Sequence, residues 1–257
     1  MPSWGSSSPL GKNSLDITQD ISKDDYQQTA LFKSLSQRGG ACDDSNPLLF
    51  LKIGTSAVVE AAAMFGFLKL GEYLTQKFPN QLQLPGGRSL SQVVAALGIT
   101  MGSSLFGALA DGGLSASTQQ LLDPNVTPGD PQWYSNLKKP WWNPPGWLFP
   151  IMWLIIVKPT QAAAISRLMA VSSNPWAALG LFCGHLALGD AWNKVFFGMQ
   201  CTGRGAAVIS AFYMALVASV KVFWSTDSWA GKLLMPTLGW VSLATGLNWR
   251  IFFLNKK

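Results

Sequence analysis

Among the ionisable side chains in the apolar stretches of this chain, Glu60, Lys158, His185 and Asp190 are the ones whose chemistry demands a partner. His185 is the only histidine. Its imidazole can ligate iron or magnesium where it faces a pocket, or sit neutral and hydrogen-bonded between two helices. Lys158 falls near the middle of an apolar segment running over residues 146–169. An ammonium at membrane depth costs at least about 2.5 kcal/mol, so a partner is expected. Glu60 holds a matching position in the segment 48–71 and is the expected ion-pair partner, with Asp190 as its competitor. Pro159 removes an amide donor beside Lys158 and is expected to kink the helix there. No nucleophile–base pair and no metal-ligand spacing accompanies these residues, so an enzyme is not expected.

A second constellation is aromatic. Trp133-Tyr134, the run Pro140-Trp141-Trp142-Asn143-Pro144-Pro145-Gly146-Trp147, and Trp153 place five of the 12 tryptophans around the start of one apolar segment. Indole has an apolar body and one N–H that seeks a wet partner, which suits a membrane interface. Pro140, Pro144 and Pro145 fix the backbone and lower the entropy cost of holding the loop in an open conformation. Trp142, Trp147 and Trp153, with Trp240 from another segment, can supply flat apolar walls for a planar ligand. Anchoring at the membrane boundary is the competing role for each of them.

Composition sets the elements that must position these groups. Only 12% of residues are charged, about half the share of a globular protein, and 48% are apolar. The apolar residues come in long runs, so the chain reads as an integral, multi-pass membrane protein. Candidate spans cover 48–71, 91–110, 146–169, 175–195, 205–224 and 231–254, each compared with the roughly 20 residues a bilayer core needs. They are expected as α-helices, because lipid leaves the backbone no partner but itself. The net charge of +6 is spread over the ends of apolar segments, where cations reach lipid headgroups, and nucleic-acid binding is not expected. Residues 1–46 are polar and read as a mostly flexible tail. The segment 47–73 is expected as an extra helix, either transmembrane or lying in the interface. Cys42, Cys183 and Cys201 have no metal or redox spacing and are expected as free thiols.

The ordered residues Trp133-Tyr134, Leu137, Lys139-Pro140, Trp142, Pro144-Pro145, Trp147, Phe149-Pro150 and Trp153 resemble the signature of the tryptophan-rich sensory protein family, which includes the mitochondrial translocator protein. Downstream, Leu186-Ala187-Leu188, Ala191-Trp192 and Phe196-Phe197-Gly198 are similar to its third helix. Leu234, Pro236, Trp240, Leu247-Asn248 and Asn255 are similar to its fifth. The resemblance implies an all-α, five-helix translocator-protein-like bundle over residues 90–255, with one additional N-terminal helix and a lid loop at 111–147. It implies a lipophilic ligand such as a tetrapyrrole (haem, porphyrin or chlorophyll), contacted by Trp142, Pro144, Pro145 and Trp147 from the lid. Trp153, His185, Trp240 and Asn248 are the implied contacts from the helices. It also implies membrane lipids as partners, a homodimer, and a mitochondrial or plastid membrane.

Several positions depart from the family pattern. Val157 stands where the family usually has Tyr, Gly189 where it has Asn, Lys194 where it has Pro, and Thr237 where it has Tyr. Two functions follow. One is a regulatory or transport protein for tetrapyrroles or related lipophilic ligands. The other is a structural subunit of a larger organellar membrane complex, photosynthetic ones included, that keeps the fold but not the ancestral pocket.

Overall fold

The computed structural model describes residues 47–111 and 132–256. The expected tail and the lid residues 112–131 lie outside them. The apolar runs form helices throughout. In chain order these are α1 (Pro47–Lys77), α2 (Leu90–Asp111), the short α3 (Trp133–Asn136), α4 (Leu148–Val171), α5 (Trp176–Asn193), α6 (Thr202–Thr226), α7 (Ser228–Leu233) and α8 (Met235–Asn255). By length and composition, the spans Leu51–Lys77, Leu148–Val171 and Thr202–Thr226 can cross a membrane. The other expected spans are also helical. In α5 the apolar content is lowered by His185, Asp190 and Asn193, all of them buried.

One feature was not anticipated. The link between α1 and α2 forms a two-stranded antiparallel hairpin, β1 (Gln83–Leu84) against β2 (Arg88–Ser89). Its turn needs positive φ at Gly86 (85°) and Gly87 (72°), which glycine adopts without a steric cost. Ser89 then starts α2 with a reciprocal cap. Its Oγ accepts from Gln92 N–H at 3.2 Å, and Gln92 Oε1 accepts from Ser89 N–H at 3.0 Å.

The additional helix α1 packs along α2 and α5. A Cβ on Gly71 would stand 2.5 Å from that of Ala95, so a side chain there would force α1 and α2 apart. The remaining layers follow from neighbouring contacts: α2 on α4, α5 on α6, and α6 on α8. Met64, Leu68, Ile99, Ile165, Leu168, Leu179 and Phe182 fill the core between them and are fully buried.

The expected disturbance at Pro159 takes the form of a π-helix over Ile151–Val157, which returns to α geometry at Lys158. Pro159 has no N–H for the carbonyl of residue 155. The wider turn passes that gap, and Lys158 N–H bonds Trp153 O, five residues back. A second π turn, Lys194–Gly198, extends α5. Cys183 is a free buried thiol, but Cys201 is disulfide-bonded, which corrects the expectation of free thiols for that residue.

Arg167 near the end of α4 holds Asp227, which precedes α7, through two bonds: Nε to Oδ1 at 2.6 Å and Nη2 to Oδ2 at 2.9 Å. Asp227 Oδ1 also caps α7 by accepting from Ala230 N–H at 2.7 Å. The Arg167 hydrogen bond holds the Asp227 carboxyl below the ordinary carboxylate range. A depressed carboxyl stabilises the fold fully above its unfolded value of about 3.9, and the gain is lost as pH falls through the lower folded value. The melting temperature of the purified protein should therefore decline more steeply below about pH 4 in wild type than in Asp227→Asn. Parallel declines would remove this role for the pair.

Candidate functional site

The lid is tied down at both ends of its described part. Lys138 N–H donates to Asn255 Oδ1 at 3.0 Å, and Asn255 Nδ2 donates to Lys138 O at 2.9 Å. This pair fastens the loop to the last turn of α8. Trp133 and Tyr134 pack edge-on or tilted against Phe196 and Phe197 of the second π turn, with centroids 5.4–6.3 Å apart. The Lys139 ammonium lies 4.6 Å from the Tyr134 ring centre and donates to the carbonyls of Ser135 and Leu137. Tyr134 O–H reaches Asn143 Oδ1 at 3.4 Å, and Asn143 Nδ2 donates to Pro144 O at 3.0 Å.

The implied lid contacts divide. Pro144 is buried, while Pro145 is exposed. The Trp142 ring lies against Gly246 of α8. Trp147 is 66% exposed and Trp141 96%, positions that suit interface anchors better than pocket walls. Trp153 and Trp240 do meet, ring edge to ring face, with centroids 6.3 Å apart, and Phe149 stands 5.4 Å from Trp240. Asn248 is committed to a structural bond: its Oδ1 accepts from Trp192 Nε1–H at 3.0 Å, joining α5 to α8.

The ionisable residues gather in the interior beside these rings, at a place that shares Trp153 with them. A cavity of about 40 Å³ is lined by Lys158, His185, Asp190, Ser103, Gln161 and Asn193, with the rings of Trp153, Trp192 and Phe212. Lys158 donates to Thr100 O and lies 3.4 Å from Ser103 Oγ, both on α2. Asp190 and Glu60 act on its ammonium electrostatically. The hydrogen bonds that Lys158 donates go to α2. His185 stacks on Phe212 at 4.5 Å, and its Nδ1 lies 3.2 Å from Phe212 O.

Around the lid root and the cavity, His185 Nε2, Asp190 Oδ2, Thr237 Oγ1 and Trp240 Nε1 are buried and have no hydrogen-bond partner among the described residues, as do Gln81 Nε2 and Gln200 Nε2 elsewhere. Buried polar atoms are rarely left this way, and such groups point to an occupant. Sequence reasoning missed Thr100, Ser103, Gln161 and Phe212. Asp190 had the better signal, as an acid in an apolar helix. Thr237 counted only as a lost tyrosine.

The His185 cavity does not accommodate the implied tetrapyrrole. Its nitrogen is a suitable donor, but ligand pockets run to about 300–1,000 Å³, well above the space here. Among the described residues no group of three or more His, Cys, Asp or Glu is placed to hold a metal ion.

The family assignment rests on residues 106–254, which match the model of the TspO/MBR family. The chain belongs to the TspO/MBR family. It is 37% identical to a tryptophan-rich sensory protein of Cereibacter sphaeroides over 147 residues, 57% of this chain and 88% of the relative. It is 36% identical to protein CrtK of Rhodobacter capsulatus, over 48% of this chain and 78% of that one. It is 28% identical to the human translocator protein, over 47% and 73%. This TspO/MBR protein is an integral membrane protein with a helical bundle, and α1 lies wholly upstream of the residues that match the family.

Removing the Asn248 acceptor leaves the Trp192 N–H buried without a partner, at a cost of about 1–3 kcal/mol. Asn248→Ala should lower the thermal midpoint in detergent, and Trp192→Phe should make the same change at 248 much less damaging. Equal losses in both backgrounds would show that the bond does not join the two helices.

Proposed function

We propose that this TspO/MBR protein has a regulatory or transport role in its membrane and takes a lipophilic small molecule carrying a polar acceptor at the root of the lid. The observation that carries the reading is the pair Trp240 Nε1 and Thr237 Oγ1, two donors on consecutive turns of α8, buried and without partners. Beside them Trp153 and Phe149 give edge-on apolar walls. A ligand acceptor would satisfy the indole N–H, while the rings exclude water. Entry requires the lid to lift, and the Asn255–Lys138 clamp is the contact that resists this. The relatives named tryptophan-rich sensory protein and translocator protein support a regulatory or transport role for the fold.

A second reading, a subunit that works through protein contacts, draws on the small interior cavity and on Trp141, which projects almost fully from the surface. Titration with protoporphyrin IX separates the two. Saturable quenching of tryptophan fluorescence is expected in wild type, weakened roughly tenfold or more in Trp240→Phe, which keeps the ring and loses the donor (about 1.4 kcal/mol). Asn255→Ala should speed the approach to saturation. Absence of saturable quenching in wild type, with the protein migrating in native membranes as part of a larger assembly, would replace the first reading by the second.

A further inference from the structure

The interior cavity contains a constellation that the lid site does not use. Nδ1 of His185 faces the carbonyl of Phe212, and a carbonyl oxygen can only accept, so Nδ1 carries the proton. In the neutral imidazole the lone pair is then on Nε2. That atom belongs to a fully buried side chain and has no protein partner. Asp190 Oδ2, on a side chain only 6% exposed, is likewise without a hydrogen-bond partner, and both residues line the same cavity. Two unsatisfied acceptors on residues that line one small, mostly apolar-walled cavity need donors, and the cavity is where such donors can stand. The cavity, at about 40 Å³, has room for about two or three waters, each needing about 10–15 Å³.

We propose that this cavity is a water-filled proton-sharing site in which ordered water bridges Asp190 Oδ2 and His185 Nε2. The ligand is water together with one exchangeable proton. When the Asp190 carboxyl is protonated, its O–H bond breaks toward the bridging water as that water passes a proton to Nε2 and a new N–H bond forms. The pair moves from neutral acid and neutral imidazole to carboxylate and imidazolium. No electrons change hands and the water is regenerated.

The surroundings suit such a transfer. Lys158 from α4 and Glu60 from α1 supply the other nearby titratable groups. From α2 the site meets Thr100 O and the Ser103 hydroxyl, and from α6 the Phe212 ring, none of which titrates. Asn193 lines the cavity one turn from Asp190. On α1, Ser56 stands one turn from Glu60 and meets Lys194 Nζ at 3.4 Å, so polar groups continue beyond the site. An intramembrane chain of acid, imidazole and water is the arrangement that relays protons in membrane bundles.

The single histidine makes the test direct. Protein labelled with 15N-histidine, purified on a histidine-free tag and placed in lipid bilayers, gives one imidazole in solid-state NMR. Wild type should show Nδ1 protonated, Nε2 with an acceptor-type shift, and magnetisation transfer from water protons to Nε2. In Asp190→Asn that transfer should fall by half or more and the Nε2 shift should move. Asp190→Glu, which keeps an acid at a changed distance, should restore the transfer with a different shift. A wild-type Nε2 that receives nothing from water, or a shift that is the same in all three proteins, would overturn the proposal. The measurement needs no lipophilic ligand, so its outcome is independent of the lid site.

Discussion

A lysine ammonium held inside a membrane bundle has to be compensated by polar groups fixed on its neighbours, and in this protein Lys158 sets that requirement. Its donors reach Thr100 O and Ser103 on α2, while Asp190 on α5 and Glu60 on α1 supply opposing charge. Four helices are thereby committed to one point. The π turn before Pro159 belongs to the same arrangement, because it lets α4 pass the missing amide without ending the helix. Removing one member of such a group leaves the others buried without compensation, which is more damaging than never having built it.

The bundle and the lid are the inherited part. Residues 106–254 match the family, and the two hydrogen bonds between Lys138 and Asn255 tie the proline and tryptophan run to the last turn of the last helix. A small cavity lies beneath. Asp190, His185 and Lys158 surround a space too small for a macrocycle. The upstream helix α1 closes the side of the bundle formed by α2 and α5 and brings Glu60 with it. The family match thus extends over a lid and over an interior that holds Lys158, His185 and Asp190.

Much of the fold was legible beforehand because lipid permits little else: long apolar runs must be helices, although the first runs on to Lys77 and the last expected span is divided between α7 and α8. The hairpin before α2 was not. Two-residue strands carry no periodicity, and only Pro85-Gly86-Gly87 hinted at a turn. Among the site residues, the meeting of Trp153 with Trp240 was legible from the resemblance. Trp147 and Asn248 were not, since the exposure of the one and the bond of the other to Trp192 depend on helix rotation, which spacing alone does not settle. The partner of Lys158 was sought among acids, whereas its hydrogen bonds go to a backbone carbonyl and a hydroxyl, groups that carry no charge signal in a sequence.

The central claim is that Lys158 and Asp190 belong to one coupled polar centre. A double-mutant cycle of Lys158→Met and Asp190→Asn, read by thermal unfolding in detergent, tests it most directly. The account predicts that the double variant is more stable than the sum of the single losses allows, by about 1 kcal/mol or more, because each change relieves the charge left by the other. Strictly additive losses would contradict it.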